Sequence, residues 1–122
     1  MVFRRTLVTL ILIAATPFFA GASALAHAKL VRSDPKANSS VAAPKIIKLT
    51  FSEKIAPTFS GFTVAMSDGM AVGITAKVGD DGKTLTGTPT GPFMAGKYNV
   101  SWHATAVDDG HRTQGTYNFT VK

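Results

Sequence analysis

Four residues hold most of the coordination chemistry that the sequence offers: His27, Glu53, Asp109 and His111. Asp109-Gly110-His111 is a local pair. In an extended or turning segment, side chains two residues apart project to the same side, and Gly110 permits the bend between them. Imidazole nitrogen and carboxylate oxygen suit Cu(II), which takes tetragonal N,O surroundings. By itself the tripeptide is weak, because such a sequence is more often only a turn. His27 changes the reading if it is the first residue of a processed chain. It then supplies two nitrogens, its α-amine and its ring Nδ1, which close one compact chelate ring. Adding His111 makes three nitrogens in a T-shaped set, a histidine brace, to which Asp109 can add an oxygen. An α-amine titrates at roughly 7.7–8.0, so a metal must displace a proton near neutrality. Glu53 follows Phe51-Ser52. It reads either as an exposed carboxylate or as a group that orients a ligand histidine or the amine, or serves as an alternate ligand.

The remaining chemistry-bearing residues are weaker. His103 falls on the strand face opposite Trp102 and reads as solvent-exposed. Met66 and Met70 offer soft sulfur to Cu(I), but two thioethers are few, and Met66 fits an apolar strand face. Trp102 reads as a core anchor. No Ser-His-Asp set, phosphate-binding glycine loop or H-E-x-x-H motif is present, so hydrolytic catalysis has no support. The chain has no cysteine, which excludes thiolate metal sites and blue copper, and leaves stability to core packing.

The elements that must position these residues are short. Residues 1–26 read as a secretory signal: Arg4 and Arg5 precede an apolar run from Leu7 to Ala15, and small residues follow. Overlapping A-x-A sites end at Ala22, Ala24, Ala26 and Ala28, and local rules do not choose among them. The general export route fits better than twin-arginine export. From residue 27 onward no helical period appears. Short alternating runs between turn signals predict seven strands, at about 28–33, 45–51, 60–66, 71–78, 83–88, 97–106 and 113–121, and hence an all-β sandwich. Gly79-Asp-Asp-Gly82 predicts a hairpin turn. If successive strands alternate direction, His27, Glu53, Asp109 and His111 gather at one end, and Met66 and Met70 fall at the other.

The domain 27–122 can bury roughly two-thirds of its unfolded surface, enough for one modest core. Of the 13 basic residues, 11 remain once Arg4 and Arg5 are removed; set against 7 acidic residues they give a formal charge of +4. They are scattered and not interleaved with aromatics, so nucleic-acid binding is not expected.

Taken together, His27-Ala-Lys-Leu-Val-Arg-Ser-Asp-Pro35, Leu49-Thr-Phe-Ser-Glu53, Gly96-Lys-Tyr-Asn-Val-Ser-Trp102, Asp109-Gly-His111 and Gly115-Thr-Tyr-Asn-Phe119 resemble CopC-type periplasmic copper-resistance proteins. The similarity spans 27–122 in order. It implies a seven-stranded Greek-key antiparallel β-sandwich, Ig-like or cupredoxin-like. It also implies cleavage after Ala26 and a Cu(II) site from His27, Asp109 and His111 with Glu53 nearby. The implied function is periplasmic Cu(II) binding for copper homeostasis and resistance, without catalysis. The implied partners are copper itself and an inner-membrane copper importer or a periplasmic copper oxidase, and the protein is expected to be a monomer. The alternative is a small lytic monooxygenase-like oxidase using the same brace, which ninety-odd residues leave little surface to support. Two departures stand out. Some relatives carry a Met-rich Cu(I) loop where this chain has only Met66-Ser-Asp-Gly-Met70, so no Cu(I) site is expected. His103 stands where a basic residue often follows the Trp.

Overall fold

The computed structural model describes residues 27–122, and the expected signal segment 1–26 lies outside them. Two sheets face each other. One contains β1 (Leu30–Asp34), β3 (Ile47–Phe51), β7 (Thr84–Pro89) and β6 (Ile74–Val78), in the order β1-β3-β7-β6. The other contains β2 (Ser40–Val41), β9 (Arg112–Val121), β8 (Gly96–Thr105), β4 (Gly61–Met66) and β5 (Ala71–Val72), in the order β2-β9-β8-β4-β5. A 3-10 turn, Pro57–Phe59, links β3 to β4. Among the described residues no helix is long and apolar enough to cross a membrane.

Alternation in the sequence sets which side chains meet between the sheets. Ile47, Leu49 and Phe51 of β3 and Tyr98, Val100 and Ala104 of β8 are buried, while Lys48, Asn99 and Ser101 between them are exposed. Phe62, Val64, Leu85, Phe119 and Val121 complete the middle of the core. Trp102 is only half-buried. It packs edge-on against Phe51 with centroids 5.3 Å apart, and its ring lies over Gly115, its ladder partner, where a Cβ would meet it at 2.7 Å. The long β8·β9 hairpin runs in unbroken register from Gly96↔Val121 to Thr105↔Arg112.

The sandwich class is as expected, with two local differences. The run 71–78 is not one strand. It breaks at Gly73, so that β5 pairs with β4 in one sheet and β6 pairs with β7 in the other. The chain passes so close to Thr90 there that a side chain at position 73 would collide with its hydroxyl, and the Thr90 N–H donates to the Gly73 carbonyl at 2.9 Å. The second difference is β2, two residues lying parallel to the end of β9. A two-residue strand has no period to read, and it is fixed by long-range backbone bonds such as Thr120 N–H to the Ser39 carbonyl at 2.8 Å.

Strand direction otherwise alternates as anticipated. The start of β1 faces the end of β3 (Leu30↔Phe51). Beyond it, the isolated bridge Ile55↔Ala106 joins the chain after β3 to the end of β8. The segments before β1, after β3 and between β8 and β9 therefore share one end of the sandwich. Met66, opposite Tyr98, belongs to the other end, about 25 Å away along β8 at ~3.4 Å per residue.

Candidate metal centre

His27 precedes a residue that the core holds fast. Ala28 is fully buried, its carbonyl accepts a 2.6 Å hydrogen bond from the Thr113 hydroxyl, and the neighbouring Lys29 N–H donates to Ser52 Oγ at 2.9 Å. The Ser52 hydroxyl in turn lies 3.3 Å from the His27 carbonyl, to which it donates. A segment that is only coil in type is thus tied to β9 on one side and to the end of β3 on the other. Its first side chain is set at the rim instead of being left to fray.

The partner side chains come from the β8–β9 loop. The Ala106 N–H donates to the His111 carbonyl at 3.0 Å, and the Gly110 N–H donates to the Ala106 carbonyl at 3.0 Å. Closing so short a loop needs a left-handed residue. Gly110 takes φ +69°, open to glycine without the Cβ penalty. Asp109 Oδ1 then accepts the His111 backbone N–H at 2.9 Å, and its Oδ2 lies 3.4 Å from His111 Nδ1. The carboxylate is the more sheltered of the two, its side chain 21% exposed against 48% for His111. With Nδ1 turned toward Asp109, the His111 Nε2 is the ring nitrogen left to face outward.

These placements bring three candidates together. Ligand atoms of His27, Asp109 and His111 all lie within 4.8 Å of one another, and the two imidazoles stack with centroids 5.1 Å apart. Two ligands at ~2.0–2.1 Å from one ion are at most about 4.2 Å apart. Atoms that lie within 4.8 Å of one another already stand close to that separation, and small χ changes on exposed side chains can close any remainder. Glu53 is half-buried beside Ser52 but is not one of this group. His103 is not a member either. It is half-buried, contrary to the exposed position expected for it, with its ring lying over Gly61, its cross-strand partner.

Two features escaped the sequence reading. Thr113 and Ser52 anchor the N-terminal segment, but a hydroxyl one residue into a strand or after one gives no pattern that distinguishes it. Met94 lies in an irregular loop, where no pattern marks it. It lines the same recess as Met66 and Met70, so that three thioethers, not two, stand at the far end.

The chain and its fold have known relatives. The CopC domain family matches residues 30–122. Copper resistance protein C of Xanthomonas campestris pv. juglandis is 38% identical over 98% of each chain, and the Escherichia coli protein of the same name is 43% identical over 82% of this chain and 85% of its own. Among solved structures, PcoC, a methionine rich copper resistance protein from Escherichia coli, superposes with a TM-score of 0.74 at 40% identity, covering 80% of this chain and 100% of that one. CopC from Methylosinus trichosporium OB3b does so with 0.71 at 35% identity, covering 79% and 94%. The chain belongs to the CopC family.

Proposed function

We propose that the protein binds Cu(II) in the periplasm and serves copper resistance and homeostasis as a carrier or buffer, not as an enzyme. Export would remove residues 1–26 and leave His27 as the N-terminus of a single CopC-type domain, 27–122. The His27 α-amine and Nδ1 would hold the ion with His111 Nε2. Asp109 orients the His111 ring through Nδ1; a turn of its carboxylate away from Nδ1 would be needed for it to add an oxygen instead. Glu53 acts from outside the group, on the amine or on His27. Copper is the cargo: the site lies open at the rim, so that the ion can be passed to or taken from an inner-membrane importer or a periplasmic oxidase.

The observation that carries this reading is the meeting of His27, Asp109 and His111 within 4.8 Å. These residues lie at opposite ends of the domain's sequence, and each is held by its own backbone anchors. Two imidazoles and a carboxylate form a borderline N,O donor set that suits Cu(II) over the soft Cu(I). Family membership supports copper as the metal, because the relatives are named for copper resistance.

The test is a Cu(II) titration of protein beginning at His27, followed by electron paramagnetic resonance. One equivalent should bind with a nitrogen-rich tetragonal signal that His111→Ala destroys. Absence of stoichiometric binding would reject the reading.

A further inference from the structure

Beside the candidate centre lies a groove of about 690 Å³. Its walls include Phe59, His103, Thr105, Val107, Gly110 and Arg112. Phe59 and Val107 are among the most exposed large apolar side chains of the described residues, at 64% and 56%. Arg112 is the groove's one permanent charge. No acidic residue lines the groove, and among the described residues Arg112 makes no ion pair.

The walls are braced. The Phe59 carbonyl accepts the Thr105 hydroxyl at 3.1 Å, and the Thr105 N–H reaches Ser60 Oγ at 3.1 Å. Ala56 N–H donates to the Thr105 carbonyl at 2.8 Å, and Val107 N–H donates to the Lys54 carbonyl at 2.9 Å. Two exposed apolar side chains are therefore presented on backbone that cannot relax to hide them. A pre-formed groove of this size binds without first having to order its own walls.

We infer that this groove docks the protein that exchanges copper with the chain, through a segment presenting a carboxylate to Arg112 and an apolar side chain between Phe59 and Val107. The inference rests on the proposed Cu(II) site and names its partner's chemistry. Charge complementarity selects the occupant: an unpaired guanidinium on a domain of formal charge +4 attracts an acidic surface and repels a basic one. Position gives the consequence. Arg112 follows His111 directly and Gly110 precedes it, so a segment seated in the groove brings its own chain alongside the two histidines. Copper can then pass between ligand sets without entering bulk water.

The experiment uses copper-free protein from His27 to Lys122 and follows backbone amides by NMR. The probes are acetyl-Glu-Phe-Leu-Glu-amide, its Lys-Phe-Leu-Lys counterpart and N-acetylphenylalanine. The acidic peptide should give saturable shifts at Phe59, Thr105, Val107 and Arg112, and the basic peptide none. Arg112→Ala should weaken binding about fivefold, as for a partly solvated ion pair. Phe59→Ser should weaken it at least about tenfold while leaving the Cu(II) titration unchanged; with Phe59 so exposed, this variant should fold. Equal response to both peptides, or no saturable shift, would overturn the inference. A response to N-acetylphenylalanine matching that to the peptide would also overturn it, since the groove would then take a small carboxylate. Peptide binding that survives alongside absent Cu(II) binding would instead remove the proposed function and leave the groove.

Discussion

His27 and His111 stack their imidazoles 5.1 Å apart with planes inclined by 30°, although one precedes the first strand and the other the last. Neither ring is buried, so packing does not force them together. Backbone anchors do, the buried Ala28 on one side and the closed β8–β9 loop on the other. The expected ranking follows from what each group touches. His111→Ala should cost the most Cu(II) affinity, since it removes a nitrogen donor. Asp109→Asn should cost about 10–100-fold through loss of the Nδ1 contact. Glu53→Gln should cost less again, and His103→Ala should be nearly silent. Competition titrations measure the order, and a His111→Ala protein that binds like wild type would remove the site.

Thr113 links stability to the site. Its hydroxyl makes the 2.6 Å bond to the Ala28 carbonyl. Thr113→Val should cost about 1 kcal/mol of stability by leaving that carbonyl without its partner, and should loosen the attachment of His27. Urea unfolding and Cu(II) titration of the same variant should both fall. A drop in stability alone would show that His27 is positioned without Thr113.

Tyr117 offers the pH test. Burial pushes its phenol up to about 12, while the nearby Ser33 works the other way and Asp34 adds to the rise. Ser33 comes close without giving the hydroxyl a hydrogen bond of good geometry, so among the described residues that oxygen is buried and unpartnered. An unfolded tyrosine titrates near ~10. Between that value and about 12 the folded chain keeps a proton that the unfolded chain has lost, so stability should fall as pH rises through this window. Tyr117→Phe should remove that contribution to the alkaline loss and gain about 1 kcal/mol at neutral pH. Urea midpoints at pH 7 and across the alkaline range check both. Destabilisation at pH 7 would mean that the hydroxyl has a partner after all.

The far end calls for a separate measurement. Met66, Met70 and Met94 line one recess, but Met66 also packs on the core, leaving Met70 and Met94 as the exposed sulfurs. Cu(I) should bind there weakly. Replacing all three with Leu should abolish that binding and leave Cu(II) binding intact, because the two ends are about 25 Å apart. Tight Cu(I) binding that survives the triple substitution would place the soft site elsewhere.

What the sequence made legible was whatever repeats at short range. Period-two alternation located β3, β4, β8 and β9, and counting directions placed His27 beside His111. It did not reveal the break at Gly73, because that break depends on Thr90, which is remote in sequence. Nor did it reveal β2, which has no period of its own. The ligand candidates were readable because histidine and carboxylate types announce themselves. The Thr113 and Ser52 anchors were not, since a hydroxyl becomes an anchor only when a distant carbonyl or amide arrives. Met94 and the His103 environment were missed for the same reason: loop position and a glycine across the strand decide them.

Processing should create the high-affinity site. In the precursor the nitrogen of His27 is a peptide amide bonded to Ala26, its lone pair delocalised and poor as a ligand. Cleavage after Ala26 would make it an amine, and His27 would then chelate through two nitrogens. Protein starting at His27 should therefore bind Cu(II) far more tightly than protein carrying one added Gly or Met. Binding should also weaken as pH falls, because protons compete for the amine and both imidazoles. The cellular consequence is that the precursor would not capture copper before export. Affinity and spectra of the two forms, measured side by side, decide the matter. If they are identical, the amine is not a ligand, and copper binding must rest on Asp109, His111 and the His27 ring alone.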